Sequence, residues 1–440
     1  MLPRLNHAVL AHEATFMTSV DSFSRRAAAA ASQPISALMQ RALAHPELIS
    51  LAAGFVDQVS LPVDETREAI NAVLKDVRRA QAALQYGTPA GHLPLREAVL
   101  AHLFENDGAA IAGQHLSVDQ VLMTAGSNEL LHLLVDTLCN PGDIVICPEP
   151  TYFVFLGILH NIGVRAVGVA SDERGVVPES LDEELARLDA AGELGRVKAL
   201  YVVSYFDNPS VVTLAEERRG PVVDVIKRWS RQGTIRIIED AAYRELRYAG
   251  DDVPSLRSYD PEGDTVILTE TFSKSFSPGV RVGWGFLPRD LIEPVANQKG
   301  NIDFGSPNLS QHLMAAVMEE GLLRPHIEKL RDHYRAKMMA TLAACDDYLG
   351  DLPGVSWNRP QGGIYVWLQL PEHVDTGPGG SLFDHAVEEG VLYVPGEYFY
   401  PDPQRNAGTN MIRLCYGVQS VERIRRGVEA LARAIHTVLA

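Results

Sequence analysis

From about residue 60 onward the chain alternates short apolar runs of β character with longer runs whose apolar positions recur at helical spacing. "QVLMTAGS" leads into "NELLHLLVDTLC", "DIVICPEP" into "FVFLGILHNIG", and "VRAVGVA" into "PESLDEELARLDAAGEL". Then come "KALYVVSYF", a helical run through "PVVDVIKRWSRQ", and the runs "TIRIIEDAAY", "TVILTETF" and "RVGWGFLP". The β runs are nearly continuously apolar, as strands covered on both faces must be. Repeated strand and helix of this kind predict an α/β domain on a mostly parallel sheet. Around residue 324 the rhythm changes. "RPHIEKLRDHYRAKMMATLAACDDYL" predicts one long amphipathic helix, "VSWNRPQGGIYVWLQL" and "NMIRLCYG" read as antiparallel strands, and a last helix starts near 419. The expected division is an N-terminal arm with part of a small domain over 1–60, a large domain over 61–323, and a smaller α+β domain over 324–440.

Composition narrows the class. A chain of 440 residues, 46% hydrophobic, can bury more than one core, since single cores stop growing at roughly 250 to 300 residues. The formal net charge of -17, with no basic stripe, repels phosphate backbones and anionic lipid, so neither nucleic acid nor membrane is expected as a partner. No apolar run approaches the about 18 residues of a membrane span, and the N-terminus lacks a secretory pattern, so a cytoplasmic protein is expected. The Ala-rich stretch 27–31 reads as a flexible arm or a first helix. Cys139, Cys147, Cys345 and Cys415 show no CxxC spacing and read as buried free thiols. No HExxH, P-loop or strand-borne GxGxxG occurs, and no metal site is expected.

Chemistry in parallel sheets collects at the carboxyl ends of the strands. Those ends carry "TAGS" at 124–127, "PEPTY" at 148–152, "SYFDNPS" at 204–210, "IIEDAAY" at 237–243 and "TFSKS" at 271–275. Together they supply hydroxyls and amides at a helix start, an aromatic ring, an amide side chain, a carboxylate with a tyrosine three residues on, and a lysine. Singly each has a plain explanation: an Asp after a strand is most often a helix cap, and a buried Tyr is usually packing. Lys274 is harder to explain, because the end of a strand would ordinarily carry Gly, Asn or Asp.

"TETFSKSFSPGVRVGWG" resembles the S-x-S-K-x-x-x-P-G-x-R-x-G lysine signature of class I/II aminotransferases, with Thr271 in place of the first serine. "QYGTPAGHLPLRE", "DNPS", "EDAAY" and "NMIRL" stand in the same order as in that family. The resemblance runs from about residue 34 to the end and is strongest to the aminoadipate and kynurenine aminotransferases. It implies the fold type I architecture of pyridoxal-phosphate enzymes, with a mostly parallel seven-stranded sheet in the large domain. It also implies a homodimer, and transfer of an amino group from an L-amino acid to a 2-oxo acid, such as 2-oxoglutarate, by a ping-pong mechanism.

By the same resemblance Lys274 would hold the cofactor as a Schiff base, a role that requires a setting able to lower the amine pKa. Asp240 would pair with the ring nitrogen, Tyr243 and Asn208 would bond the ring's phenolic oxygen, and Tyr152 would stack on the ring. Ser127 and Asn128, at a helix start, with Thr271, Ser273 and Arg281, would hold the phosphate. Tyr86 would reach the phosphate of a neighbouring subunit. Arg413, alone in an apolar strand, would take the substrate carboxylate as a two-pronged donor, with Gly54 allowing close backbone approach and Asn208 also contacting substrate.

Two segments depart from the family. "NPSV" puts Val211 where a glycine usually frees the turn, and "AAGFVDQVSLP" replaces a glycine-rich segment over the substrate. Two other readings follow from the same resemblance. A lyase, decarboxylase or cyclising enzyme could use the same fold and lysine. A regulator carrying such a domain would have roughly 60 to 100 further basic N-terminal residues, whereas 33 precede "PISALMQRAL" here, so an enzyme is expected.

Overall fold

Opposite side chains of the central strands enter two different cores, and this alternation sets the architecture. The computed structural model describes residues 23–30, 47–402, 405 and 407–440. Much of the arm expected over 1–60, and residue 31 of the Ala-rich stretch, lie outside the described residues, while Arg25–Ala30 form an exposed helix. After the two-residue strand β1 (Ile49–Ser50), the large sheet begins with β2 (Val121–Thr124), β3 (Ile144–Glu149) and β4 (Arg165–Asp172). It continues with β5 (Gly175–Val176), β6 (Val197–Val203), β7 (Arg236–Asp240), β8 (Val266–Thr271) and β9 (Gly283–Phe286).

The strand order is β2-β9-β8-β7-β6-β3-β4-β5. Strands β4, β3, β6, β7 and β8 run parallel, while β9 is antiparallel to both its neighbours. Seven longer strands make up the expected sheet, and β5 adds an eighth as a two-residue antiparallel edge. On one face Val145, Cys147, Ala199, Tyr201 and Ile238 pack with the helices Ser127–Leu138 and Phe153–Ile162. On the other, Ile144, Ile146, Leu200, Val202 and Ile237 pack with the helices Pro178–Ala190 and Glu216–Trp229. All four cysteines are buried and free.

A second, antiparallel sheet holds β10 (Ser356–Trp357), β11 (Tyr365–Gln369), β13 (Val394–Pro395) and β14 (Met411–Cys415), in the order β10-β11-β14-β13. Strand β12 (Val391–Leu392) pairs with β1, so the chain just after residue 47 joins its C-terminal part. The expected long helix is present as Leu323–Leu349, and the last helix as Val421–Leu439.

The chain proceeds outward from β3 to β4 and then crosses back to β6 on the other side of β3. Such a reversal opens a crevice at the carboxyl ends of the strands. The loop after β6 enters that crevice, and a buried ion pair holds it. Arg219 and Glu239 are both fully buried, 3.4 Å apart. Glu239 also accepts from Ser204 Oγ at 2.7 Å and from the backbone of Leu256 and Arg257 at 2.9 and 3.2 Å. Arg219 donates to the carbonyls of Ser204, Pro254 and Leu214 at 3.0, 3.0 and 3.1 Å.

The "NPSV" departure is also visible here. Val211 has a φ of +58°, so the turn kept the left-handed geometry that suits glycine although a β-branched residue occupies it. Its side chain is buried, and a Cβ on Gly363 would lie 2.9 Å from Val211 Cγ1. Packing therefore holds the strained turn in place.

Replacing Arg219 by Met would leave Glu239 buried without its cation. Arg219→Met should lower stability by about 3 to 5 kcal/mol in a denaturant titration. A loss below about 1 kcal/mol would contradict this account of the loop.

Candidate active site

Strand β8 runs directly into the short helix Phe272–Ser275, and Thr271 starts that helix by accepting Ser273 N–H on its hydroxyl at 3.1 Å. One turn later Lys274 points into a cavity of about 320 Å³. Its Nζ donates to the Gly54 carbonyl at 2.9 Å, and no carboxylate among the described residues pairs with it. Desolvation lowers its pKa to about 8, against an opposing effect of Cys415 that outweighs a small added repulsion from the Arg413 guanidinium. Near neutral pH a usable fraction of the amine is then unprotonated, as a nucleophile or proton carrier requires.

Asp240 ends β7 and lines the same cavity. Its carboxylate accepts from Tyr201 Oη at 3.0 Å and from Ala242 N–H at 3.1 Å, and no cation among the described residues pairs with it. Burial pushes its pKa up to about 6. A buried carboxylate in this state lacks a cationic partner, which a protonated ring nitrogen can supply.

Three features converge where an anion would sit. The helix Ser127–Leu138 starts at Gly126 with no side-chain cap, leaving its first N–H groups to the cavity. Gly126 has a φ of +91°, and a Cβ there would lie 2.4 Å from Arg281 Nη2. Arg281, itself at a φ of +51°, donates to the Ala125 and Pro278 carbonyls at 2.8 and 3.2 Å. Thr271 and Ser273 contribute hydroxyls 2.9 Å apart.

Arg413, on β14, is 2% exposed. Its Nη1 donates to Asn208 Oδ1 at 2.7 Å and its Nη2 to the Ala52 carbonyl at 2.8 Å, while Nε has no partner among the described residues. Holding Asn208 by its oxygen leaves the amide nitrogen as the free donor. The guanidinium also stacks over Tyr365, 4.3 Å from the ring centroid. Gly54 has no room for a side chain, since a Cβ would lie 2.5 Å from Tyr365 Oη.

Every residue that the resemblance assigned to the site lines this one cavity except Tyr86. Tyr86 is 80% exposed and edge-on to Phe304, and Leu84 and Ile302, two residues before each in the sequence, are exposed as well. Sequence reasoning missed Tyr201 and Tyr365. Each is a tyrosine in an apolar strand, and a buried tyrosine hydroxyl needs a partner; that signal was available in "KALYVV" and "GGIYVW". It also missed how the segment after Gly54 is held. Asp57 binds Lys337 and His333, the latter at 2.8 Å, and its N–H donates to Tyr334 Oη at 2.9 Å. The altered segment is thereby tied to the helix Leu323–Leu349, with Phe55 at the cavity mouth.

The model of the family described as aminotransferase class I and II matches residues 46–431. The chain belongs to that family. An aromatic-amino-acid aminotransferase of Thermococcus litoralis is 34% identical over 389 residues, 88% of either chain. The crystal structure of the kynurenine aminotransferase of Pyrococcus horikoshii, in complex with PMP, is similar at a TM-score of 0.86 and 30% identity, covering 95% of this chain and 98% of that one. The α-aminoadipate aminotransferase of Thermus thermophilus, complexed with N-(5'-phosphopyridoxyl)-L-leucine, gives 0.82 and 28%, covering 96% and 99%. The enzyme is thus a pyridoxal-phosphate-dependent aminotransferase of fold type I. The cavity fits that cofactor on its own geometry: a helix start without a side-chain cap beside an arginine for the phosphate and, with no charge partner among the described residues, a buried carboxylate for the ring nitrogen and an amine.

Asp240 also gives a pH-dependent expectation for the apoprotein. Its folded pKa of about 6 lies above the unfolded value of about 3.9. The folded state therefore holds the proton more tightly, and the stability this contributes below about pH 4 is lost as pH rises through about 6. Asp240→Asn removes the charge that must be buried. The apo variant should be more stable than wild type by roughly 1 to 3 kcal/mol at about pH 7.5, with the gap closing by about pH 4. A variant less stable than wild type at both pH values would contradict the unpaired carboxylate.

Proposed function

We propose that the enzyme moves the amino group of a medium or large L-amino acid to 2-oxoglutarate in two half-reactions, with Lys274 as covalent anchor of the cofactor and carrier of the proton. The observation that carries this reading is the unpaired, pKa-lowered amine of Lys274 in a cavity that also presents Arg413 and Asp240. Bound pyridoxal phosphate supplies a ring that accepts the electron pair of the broken Cα–H bond. The chain's residues do the rest. Asp240 keeps the ring nitrogen protonated by pairing with it. Ser127, Asn128, Thr271, Ser273 and Arg281 hold the phosphate. Tyr243 and the free amide nitrogen of Asn208 donate to the phenolic oxygen, and Tyr152 covers the ring. The Lys274 amine would take the proton from Cα and return it one position along; water then supplies the oxygen of the departing 2-oxo acid, and the amino group stays on the cofactor.

Arg413 holds the substrate carboxylate. Two of its five N–H donors are engaged within the chain, so the fork keeps capacity for a carboxylate. Gly54 leaves that approach open, and the smaller C-terminal part, 324–440 with the segment before 60, would close over it. Phe55, Phe153 and Tyr365 give the cavity an aromatic lining suited to a sizeable apolar donor side chain. The exposed apolar side chains Leu84, Tyr86, Ile302 and Phe304, of which Tyr86 and Phe304 touch, support a homodimer in which Tyr86 reaches the partner's phosphate site.

Adding single amino acids to the holoenzyme and following loss of the cofactor's imine absorbance tests the reaction. Formation of a 2-oxo acid, with recovery on adding 2-oxoglutarate, is expected. Release of carbon dioxide or of ammonia would instead favour the lyase reading. Recovery with pyruvate or glyoxylate alone would overturn the acceptor.

Arg413→Lys keeps the charge but loses the fork, a difference of roughly 2 to 4 kcal/mol. The kcat/KM should fall by about 30-fold to 1000-fold for every carboxylated donor. Phe55→Ala should instead change the ratio between donors. A loss with Arg413→Lys that is confined to one donor would place the carboxylate elsewhere.

A further inference from the structure

We propose that Tyr365 is a positioning residue that polarises Tyr243, and through it sets the proton affinity of the linkage between Lys274 and the cofactor. This rests on the reading above, in which Tyr243 donates to the cofactor's phenolic oxygen. Tyr365 lies on β11 opposite Cys415 of β14, which puts it diagonal to Arg413 on one face of the sheet. Its ring, 2% exposed, lies under the Arg413 guanidinium, with 4.3 Å between centroid and Cζ. Its hydroxyl is 2.8 Å from that of Tyr243, and neither hydroxyl has another hydrogen-bond partner among the described residues. The same oxygen would be 2.5 Å from a Cβ on Gly54, whose carbonyl receives Lys274 Nζ. Tyr365 thus touches the supports of three functional groups at once.

Each hydroxyl carries one proton, and burial raises both pKa values, that of Tyr365 to about 12, so both stay protonated near neutral pH. The bridge can run in either direction. If Tyr243 donated to Tyr365, it would turn a lone pair toward the ring oxygen and repel its negative charge. If Tyr365 donates to Tyr243, the Tyr243 proton is free to be donated onward, and it is the stronger donor for being polarised. A bound oxyanion selects the second arrangement. A stronger donor to that oxygen lowers its negative charge density and makes the neighbouring imine nitrogen less basic. The Arg413 cation over the Tyr365 ring favours the same direction, because it makes the Tyr365 hydroxyl more acidic.

The test is a spectrophotometric pH titration of the holoenzyme's cofactor absorbance in wild type, Tyr243→Phe and Tyr365→Phe, with donor KM measured in parallel. Tyr365→Phe keeps the ring on Arg413 and loses only the hydroxyl. Its titration midpoint should rise by about 0.3 to 1 pH unit, less than for Tyr243→Phe. A midpoint that moves in Tyr243→Phe but not in Tyr365→Phe would overturn this inference and leave the underlying reading intact. A midpoint unmoved in both, or moved downward in Tyr365→Phe, would overturn the inference, and the first of these would also remove Tyr243 from the phenolic oxygen. A donor KM that rises severalfold in Tyr365→Phe with the midpoint unchanged would show that the hydroxyl serves only to pack the carboxylate site.

Discussion

Among the described residues the amine of Lys274 has no counter-ion, and the rest of the site is arranged around that fact. Its one partner there is the Gly54 carbonyl, a neutral dipole. A carboxylate beside it would hold the proton and remove the nucleophile. The two carboxylates nearest in function are committed elsewhere: Asp240 to Tyr201 and Ala242, and Glu239, pointing to the opposite face of β7, to Arg219 and Ser204. Strand alternation makes this separation possible, because adjacent residues on β7 face opposite sides.

The fold brings distant segments to one place by topology. The reversal between β3 and β6 opens the crevice, and the carboxyl ends of β3, β6, β7 and β8 place Tyr152, Asn208, Asp240 and Lys274 around it. β14 adds Arg413 from the smaller sheet, and the segment after β1 adds Gly54 and Phe55. Closure of this arrangement depends on close backbone contacts. Gly126 and Gly54 stand where a Cβ would strike Arg281 and Tyr365, so two of the functional groups are seated against bare backbone.

The parallel strands were legible because they are continuous apolar runs, and the lysine because a cation at that strand end had no structural role. The short strands β1, β5, β12 and β13 did not stand out, because two-residue pairings leave no periodicity to detect. Partnerships between side chains were also hidden. Nothing in "IYVW" says that Tyr365 meets Tyr243, 122 positions away, nor does "FVDQ" say that Asp57 ties the segment after Gly54 to Lys337. Val211 is a different case: the sequence suggested a changed turn, but burial against Gly363 preserves the left-handed backbone that glycine would have adopted freely.

Lys274 is buried without a charge partner among the described residues, and the titration of that one amine tests this most directly. Quantitative mass spectrometry of Lys274 modification in the apoprotein, from about pH 6 to about pH 11, reads its apparent pKa. A value of about 8 is expected. A value at the ordinary lysine position of about 10.4 would mean that the amine is solvated or paired, and would contradict the account.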